Sequence, residues 1–217
     1  MESQQYTQSP SLDDCLKLFM SERDEQRLAG LVHVTEFRKA DDLSSLLVIY
    51  HALGSRFLDR LLSTAATRGD DAYLHLSSTA LAAFCRVPEI AASKDMALKI
   101  PRVVQVLWLS KQGQGPILEE CYEFLYLVSI ASEVGAMALH KSGDMKLLAS
   151  HILILSDGFR QMELAIKLVQ LILGKLVFLD EYVAELSVIV AAVTRQFAVL
   201  HHAVKFDALH LLSAMLS

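Results

Sequence analysis

The sequence predicts an all-α fold, a helical-repeat solenoid, on three observations. The chain of 217 residues is 53% hydrophobic, yet only 9 Gly and 4 Pro punctuate it. Loops are therefore few and short, and a large core is available. Apolar residues recur at helical spacing: Leu76, Ala80, Ala83 and Phe84 follow i, i+4, i+7, i+8, and so do Leu164, Leu168, Leu171 and Ile172. No stretch keeps the two-residue alternation of a strand. Third, the apolar segments "QRLAGLVHVTEF", "LHLSSTALAAFC", "LEECYEFLYLVS", "RQMELAIKLVQL" and "KFDALHLLSAML" are centred roughly 40 to 50 residues apart, the period of armadillo and HEAT arrays. Each such unit has an apolar face too wide to bury alone, and stacking on neighbours buries it. The expected architecture is an armadillo/HEAT-like α-α superhelix.

The elements follow from local signals. Residues 1–10 are polar and are expected as a disordered tail; the repeat domain occupies 11–217. Ser11-x-x-Asp14 is a capping-box-like start for "LDDCLKLFM". Ser21 is placed to cap "SERDEQRLAGLVHVTEFRK", which begins polar and turns apolar. Asp41 and Asp42 precede "LSSLLVIYHAL", which Gly54 ends. Asp70 and Asp71 precede "AYLHLSSTALAAFCR", with Pro88 as its stop. Pro101 is expected to open "RVVQVLWLSK", ended by Gly113 and Gly115. Pro116 suits the first turn of "ILEECYEFLYLVSIAS". Gly143 and Asp144 separate two short helices. Asp157 and Gly158 introduce a helix over 159–177, and Asp180 with Glu181 introduces the next. The final "LHLLSAMLS" stops in mid-helix without a cap. The domain is therefore expected to be truncated at its C-terminal end, leaving an apolar surface open to self-association.

Charge and motif content narrow the function. Twenty basic and 25 acidic residues give a net charge of −5, and the mean hydropathy is +0.36. A surface that tracks phosphates is normally basic, so nucleic acid is not an expected partner. The N-terminus lacks the basic and apolar regions of a signal peptide. The most apolar later segment, 164–193, is broken by Lys167, Lys175, Asp180, Glu181 and Glu185, so no integral membrane span is expected. Cys15, Cys85 and Cys121 are widely spaced, with no metal-ligand spacing. They read as buried thiols of a cytoplasmic protein.

No chemistry-bearing motif is found. The acidic pairs Asp13/Asp14, Asp41/Asp42, Asp70/Asp71, Glu119/Glu120 and Asp180/Glu181 all lie near predicted helix starts, where negative charge meets the positive end of the dipole. The eight histidines are scattered; they read as surface or half-buried rings, and no HExxH occurs. "GQGP" follows no strand and is a loop. Trp108, the single tryptophan, is expected in the core, and the chain has no Asn, which excludes Trp/Asn peptide ladders. No catalytic, cofactor-binding or metal-binding residue is assigned. The candidates for partner contact are Arg27, Arg38 and Lys39, beside Glu36, on the first long helix. Arg160, Glu163 and Lys167 lie on the polar stripe of a later helix.

The segments "LAGLVHVTEF", "YHALGSRFLDRLL", "LAAFCRVPEIAASKDMALKIP" and "HAVKFDALHLLSAML" occur in this order over nearly the whole chain. Together they resemble the neurochondrin family, and "AAFC" followed by "PEIA" and "KIP" is the most specific part. Neurochondrins are much longer, so the chain resembles roughly the N-terminal third of one, with wording closer to plant members. The resemblance implies an atypical armadillo-like, non-enzymatic cytosolic protein. Metazoan members are tied to neuronal signalling, kinase regulation and membrane trafficking. Some members carry N-terminal cysteines suited to lipidation. Here Ser3 and Gln4 occupy those positions and Cys15 lies inside a predicted helix, a departure from that pattern. The expected function is a protein–protein scaffold or adaptor with no cofactor. The alternatives are a peripheral membrane-trafficking adaptor and an enzyme with a site of dispersed residues. A deep pocket holding a His–carboxylate pair of shifted pKa would favour the enzyme.

Overall fold

A computed structural model describes residues 11–109, 115–153, 160–175 and 183–196, with positions 205, 209, 210, 212 and 213. Every described element of secondary structure is an α-helix. In chain order they are α1 (Leu12–Phe19), α2 (Asp24–Lys39), α3 (Leu43–Leu53), α4 (Ser55–Arg68), α5 (Asp71–Cys85), α6 (Pro88–Ala91), α7 (Lys94–Leu109), α8 (Gly115–Ala131), α9 (Glu133–Lys141), α10 (Asp144–Ile152), α11 (Arg160–Lys175) and α12 (Val183–Gln196). The expected tail, the signals at Gly113, Asp157–Gly158 and Asp180–Glu181, and most of the C-terminal segment lie outside the described residues.

Several local signals act as the sequence predicts. Ser11 Oγ accepts the amide of Asp14 at 3.2 Å and caps α1. Asp42 accepts the amide of Ser45 at 3.0 Å at the start of α3. Asp70 accepts the amides of Ala72 and Tyr73 at the start of α5. Gly143 adopts φ +83 between α9 and α10, a conformation that a side chain would strain.

Other signals are used differently. Ser21 does not cap α2. It accepts the amide of Arg23 at 3.2 Å, and Arg23 is the N-cap, with no side-chain bond. Asp24 and Glu25 place negative charge in that first turn instead. Pro88 does not end α5, which already ends at Cys85; it opens α6. Pro101 lies inside α7, which begins a full two turns earlier at Lys94. The missing amide removes one helical bond, and a buried stripe of Met96, Ile100, Val103, Val104 and Leu107 holds the helix through it. The signals taken above place no helix between Gly54 and Asp70; α4 fills that interval and buries Phe57, Leu58, Leu61, Leu62 and Ala65, which recur at helical spacing.

The helices pack in rows. α2 packs on α5, α5 on α8 and α8 on α11. A second row runs from α4 to α7 to α10. The first residues of the first row, Asp24, Asp71, Gly115 and Arg160, recur every roughly 45 residues, so each step spans three helices. α5 is in the middle of its row and is buried at every position from Ser77 to Cys85. Its hydroxyls at Ser77 and Ser78 donate to the carbonyls of Leu74 and His75, three residues back, which satisfies polar groups without breaking the apolar packing. One hydrophobic core continues from Cys15 to Val193, with Phe84, Tyr122 and Phe124 among its largest buried side chains.

Candidate functional site

The first half of α8 gathers arginines from three other helices of its row. Glu120 and Glu123 stand one helical turn apart on one face. Arg38, near the end of α2, donates through one guanidinium nitrogen to both carboxylate oxygens of Glu120, at 2.7 and 2.8 Å. Its other terminal nitrogen donates to Glu123 at 2.7 Å. Arg86, the C-cap of α5, donates through Nε to the second oxygen of Glu123 at 3.3 Å. Arg160, at the start of α11, reaches Glu119 at 3.6 Å. The Glu123 side chain is 5% exposed and that of Arg38 is 16% exposed, so this hub is largely desolvated. Burial raises the Glu120 carboxyl above its ordinary range, and the Arg38 charge offsets part of the shift.

The hub corrects one reading. Glu119 and Glu120 are not capping residues: α8 begins at Gly115, and both side chains form ion pairs with arginines. Arg38 and Arg160, candidates for partner contact, both pair with the same acidic segment of α8. Arg27 also turns inward, donating to the Ser21 carbonyl at 2.7 Å and stacking over Phe57. Lys39 remains exposed, paired only with Glu36 at 3.0 Å. Glu163 and Lys167 are half-buried on α11.

A second polar cluster ties α3, α4 and α7. Lys99 is 3% exposed and its ammonium donates to Asp95 at 2.8 Å and pairs with Asp59 at 2.9 Å. The Tyr50 hydroxyl donates to the other oxygen of Asp95 at 2.6 Å. Burial, reinforced by Asp95, pushes the Tyr50 phenol well up, so it stays a donor. Every charge in this cluster is answered within it, which is a structural role.

Trp108 is not in the core. It is 47% exposed, because the buried stripe of α7 passes through Leu107 and leaves position 108 at its edge. Its ring meets that of His151 edge-on at 6.2 Å. His151 departs from the reading as a surface or half-buried ring: it is buried, and its Nδ1 lies 3.1 Å from the Tyr122 hydroxyl. Burial lowers its pKa and keeps it neutral. Leu98 is 79% exposed and Leu109 63%, one on each side of Pro101 and Gln105 along the same face of α7. This stripe borders a groove toward Ala138, Lys141 and Ser142. Large apolar side chains left open in a row are the usual mark of an interaction surface.

A cavity of about 400 Å³ lies between α8, α9, α10 and α11. Met137, Leu139, Leu171 and Ile172 supply its apolar lining, and Ser129, Glu133, His140 and Asp144 its polar atoms. Asp144 is 1% exposed. One oxygen accepts the amide of Met145 and lies 3.5 Å from His140 Nδ1; the other has no hydrogen-bond partner among the described residues. Burial raises the Asp144 carboxyl above its ordinary value, outweighing the Met145 amide and His140. The raised value means that the ionised form destabilises the fold. That penalty is full above the folded pKa and disappears as the pH falls below the ordinary value. Asp144→Asn is therefore expected to stabilise the chain at pH 7.5, with the gain shrinking toward pH 4, read from urea midpoints at both pH values.

The thiols offer no reactive centre. Cys15, Cys85 and Cys121 are free and buried. Burial raises all three, Cys121 to about 12, so none carries a thiolate near neutrality. Among the described residues no group of three or more His, Cys, Asp or Glu side chains is placed to hold a metal. Among the same residues no helix is long and apolar enough to cross a membrane.

The neurochondrin family model matches residues 6–217. The chain belongs to the neurochondrin family. It is also similar to neurochondrin of Gallus gallus, with 37% identity over 103 residues. That alignment covers 45% of this chain and 15% of the chicken protein, so the chain spans a small part of that relative's length. The neurochondrin match includes the arginine hub, the α7 stripe and the cavity within its bounds.

Proposed function

We propose that this neurochondrin-family chain is a non-enzymatic scaffold for other proteins, built as an armadillo/HEAT-like α-α superhelix and working in the cytoplasm. The three-helix recurrence of its rows supports the architecture. The observation that carries the function is the open stripe of Leu98, Trp108 and Leu109 on α7. An exposed tryptophan flanked by leucines is the kind of anchor on which interfaces concentrate their binding energy. The hub and the Lys99 cluster pair their charges within the fold.

The test is affinity capture with the folded chain and with the Leu98→Glu/Trp108→Glu double variant, read by quantitative mass spectrometry. A protein retained stoichiometrically by the parent and lost by the variant, with unchanged circular dichroism, is expected. The same captured set with both baits overturns the α7 surface. Repeating the assay with liposomes in place of lysate separates this reading from a membrane adaptor.

The cavity supplies the one observation in favour of an enzyme, because it holds a serine, a histidine and an aspartate. Its geometry supports binding more than catalysis. His140 and Asp144 are 3.5 Å apart, too long for the orienting bond of a nucleophile–base pair. A carboxyl shifted toward its neutral form is also poorly suited to stabilise an imidazolium.

A further inference from the structure

The face of α7 that carries Leu98, Trp108 and Leu109 also carries charge of one sign. Lys94 stands one turn before Leu98 and Arg102 one turn after it, and both are exposed. Lys141, exposed at the end of α9, lines the groove between the two helices. None of the three forms an ion pair among the described residues; Arg102 donates only to Gln105, at 3.0 Å. No carboxylate lines the groove among those residues. Asp95, the one acid of α7, is engaged by Lys99 and Tyr50. Glu133 lies about two turns from Lys141 along α9. The chain as a whole has a net charge of −5, so three cations without acidic partners around an apolar stripe reverse its charge locally.

Building on the scaffold reading, we propose that this groove receives an acidic amphipathic helix of another protein. Its apolar face lies on Leu98, Trp108 and Leu109, and its carboxylates lie beside Lys94, Arg102 and Lys141. The dimensions fit: Leu98 to Leu109 covers about three helical turns, or roughly 16 Å. The groove has a volume of about 540 Å³, room for several side chains. Leu98, Pro101, Gln105 and Trp108 recur every three or four residues, the ridge spacing with which a second helix interdigitates. Charge decides among the occupants. A second copy docked face to face would set the same cations against one another across the two-fold axis. An anionic bilayer would attract the three cations but repel the net negative charge of the chain. A helix bearing carboxylates meets neither penalty.

The experiment is selection of a displayed library of random helical peptides, about four turns long, on the full chain. Fluorescence polarisation then measures the enriched peptides. The expected peptides have apolar residues at i, i+3, i+4 and i+7 and a net negative charge. Lys94→Glu/Lys141→Glu is expected to weaken them about tenfold, and replacing their acids with lysine is expected to restore binding to that variant. Neutral or basic winners, no enrichment, or a failed charge swap overturns the proposal. Two further outcomes also overturn it. One is binding to phosphatidylcholine–phosphatidylserine vesicles that Trp108→Glu abolishes, which makes the stripe a membrane surface. The other is a dimer in sedimentation that Trp108→Glu dissociates, which makes it a self-contact. Peptides lost with Leu98→Glu/Trp108→Glu but unmoved by the charge reversal overturn the acidic partner and leave the scaffold surface standing. Peptides retained by both variants overturn the acidic partner and the α7 surface together.

Discussion

Glu123→Ala is expected to cost about 3–5 kcal/mol, read from urea denaturation at pH 7.5, because it breaks a buried ion cluster by removing one partner. Glu123 is the shared acceptor: Arg38 approaches one oxygen at 2.7 Å and Arg86 the other at 3.3 Å. Without it, Arg86 keeps only the long contact to Asp41 at 3.9 Å, which is exposed. Arg38 keeps Glu120, but its second terminal nitrogen is left desolvated. A domain of ordinary stability has about 5–15 kcal/mol in all, so the change approaches the unfolding threshold. A loss below about 1 kcal/mol would show that water already serves these guanidinium groups and would remove the hub from the list of determinants. Arg160→Ala sets the contrast, because its pair with Glu119 is longer and half-exposed, and such pairs contribute only about 0–1 kcal/mol.

Gly135→Ala is the second large effect. Gly135 is buried near the start of α9, where α8 and α9 come together after Ser132. A β-carbon there would overlap the Val128 carbonyl oxygen and would lie 2.9 Å from both its carbon and the Val128 Cγ1. The obstruction is backbone as well as side chain, so rotamer changes do not relieve it. The two helices must separate, and overpacking of this kind costs about 3 kcal/mol, toward the top of its usual range. The movement would also displace Ser132, whose hydroxyl accepts the Gly135 amide at 3.0 Å. The expected readout is a lower urea midpoint. Wild-type stability in the variant would mean that the helices tolerate a wider spacing than the structure shows.

These two residues show which parts of the molecule the sequence exposes and which it hides. Caps at Ser11, Asp42 and Asp70 are legible because a cap and its amide lie within three residues of one another. The rows are legible because stacking imposes the same apolar stripe every roughly 45 residues. The hub is not legible, since Arg38 and Glu120 are 82 residues apart in the chain. A local hint does exist: Glu119, Glu120 and Glu123 interrupt a helix that is otherwise almost wholly apolar, where carboxylates need partners. Trp108 was hidden for a different reason. Placing the helix start at Pro101 leaves out the turn of Met96 and Ile100 that sets its buried stripe, and with it the knowledge that position 108 falls outside. The cavity was hidden because it depends on how four helices fail to fill a space, which no single segment encodes.

The arginine hub has a consequence for how such an array comes apart. If each step of the row touched only the next, unfolding could be described by one intrinsic term per unit and one coupling per neighbouring pair, and the end units would melt independently. Arg38 extends from α2 to α8 past α5, so it adds a coupling between units two places apart. Opening α2 then loosens α8 directly, and α5 lies inside a closed loop of contacts that has no free end to fray from. The first three helices of the row, α2, α5 and α8, should therefore exchange their amide hydrogens as one cooperative block, while α11, joined to α8 by direct packing, by the Arg160–Glu119 pair and by Gln161 donating to the Gly115 carbonyl, lies outside that loop.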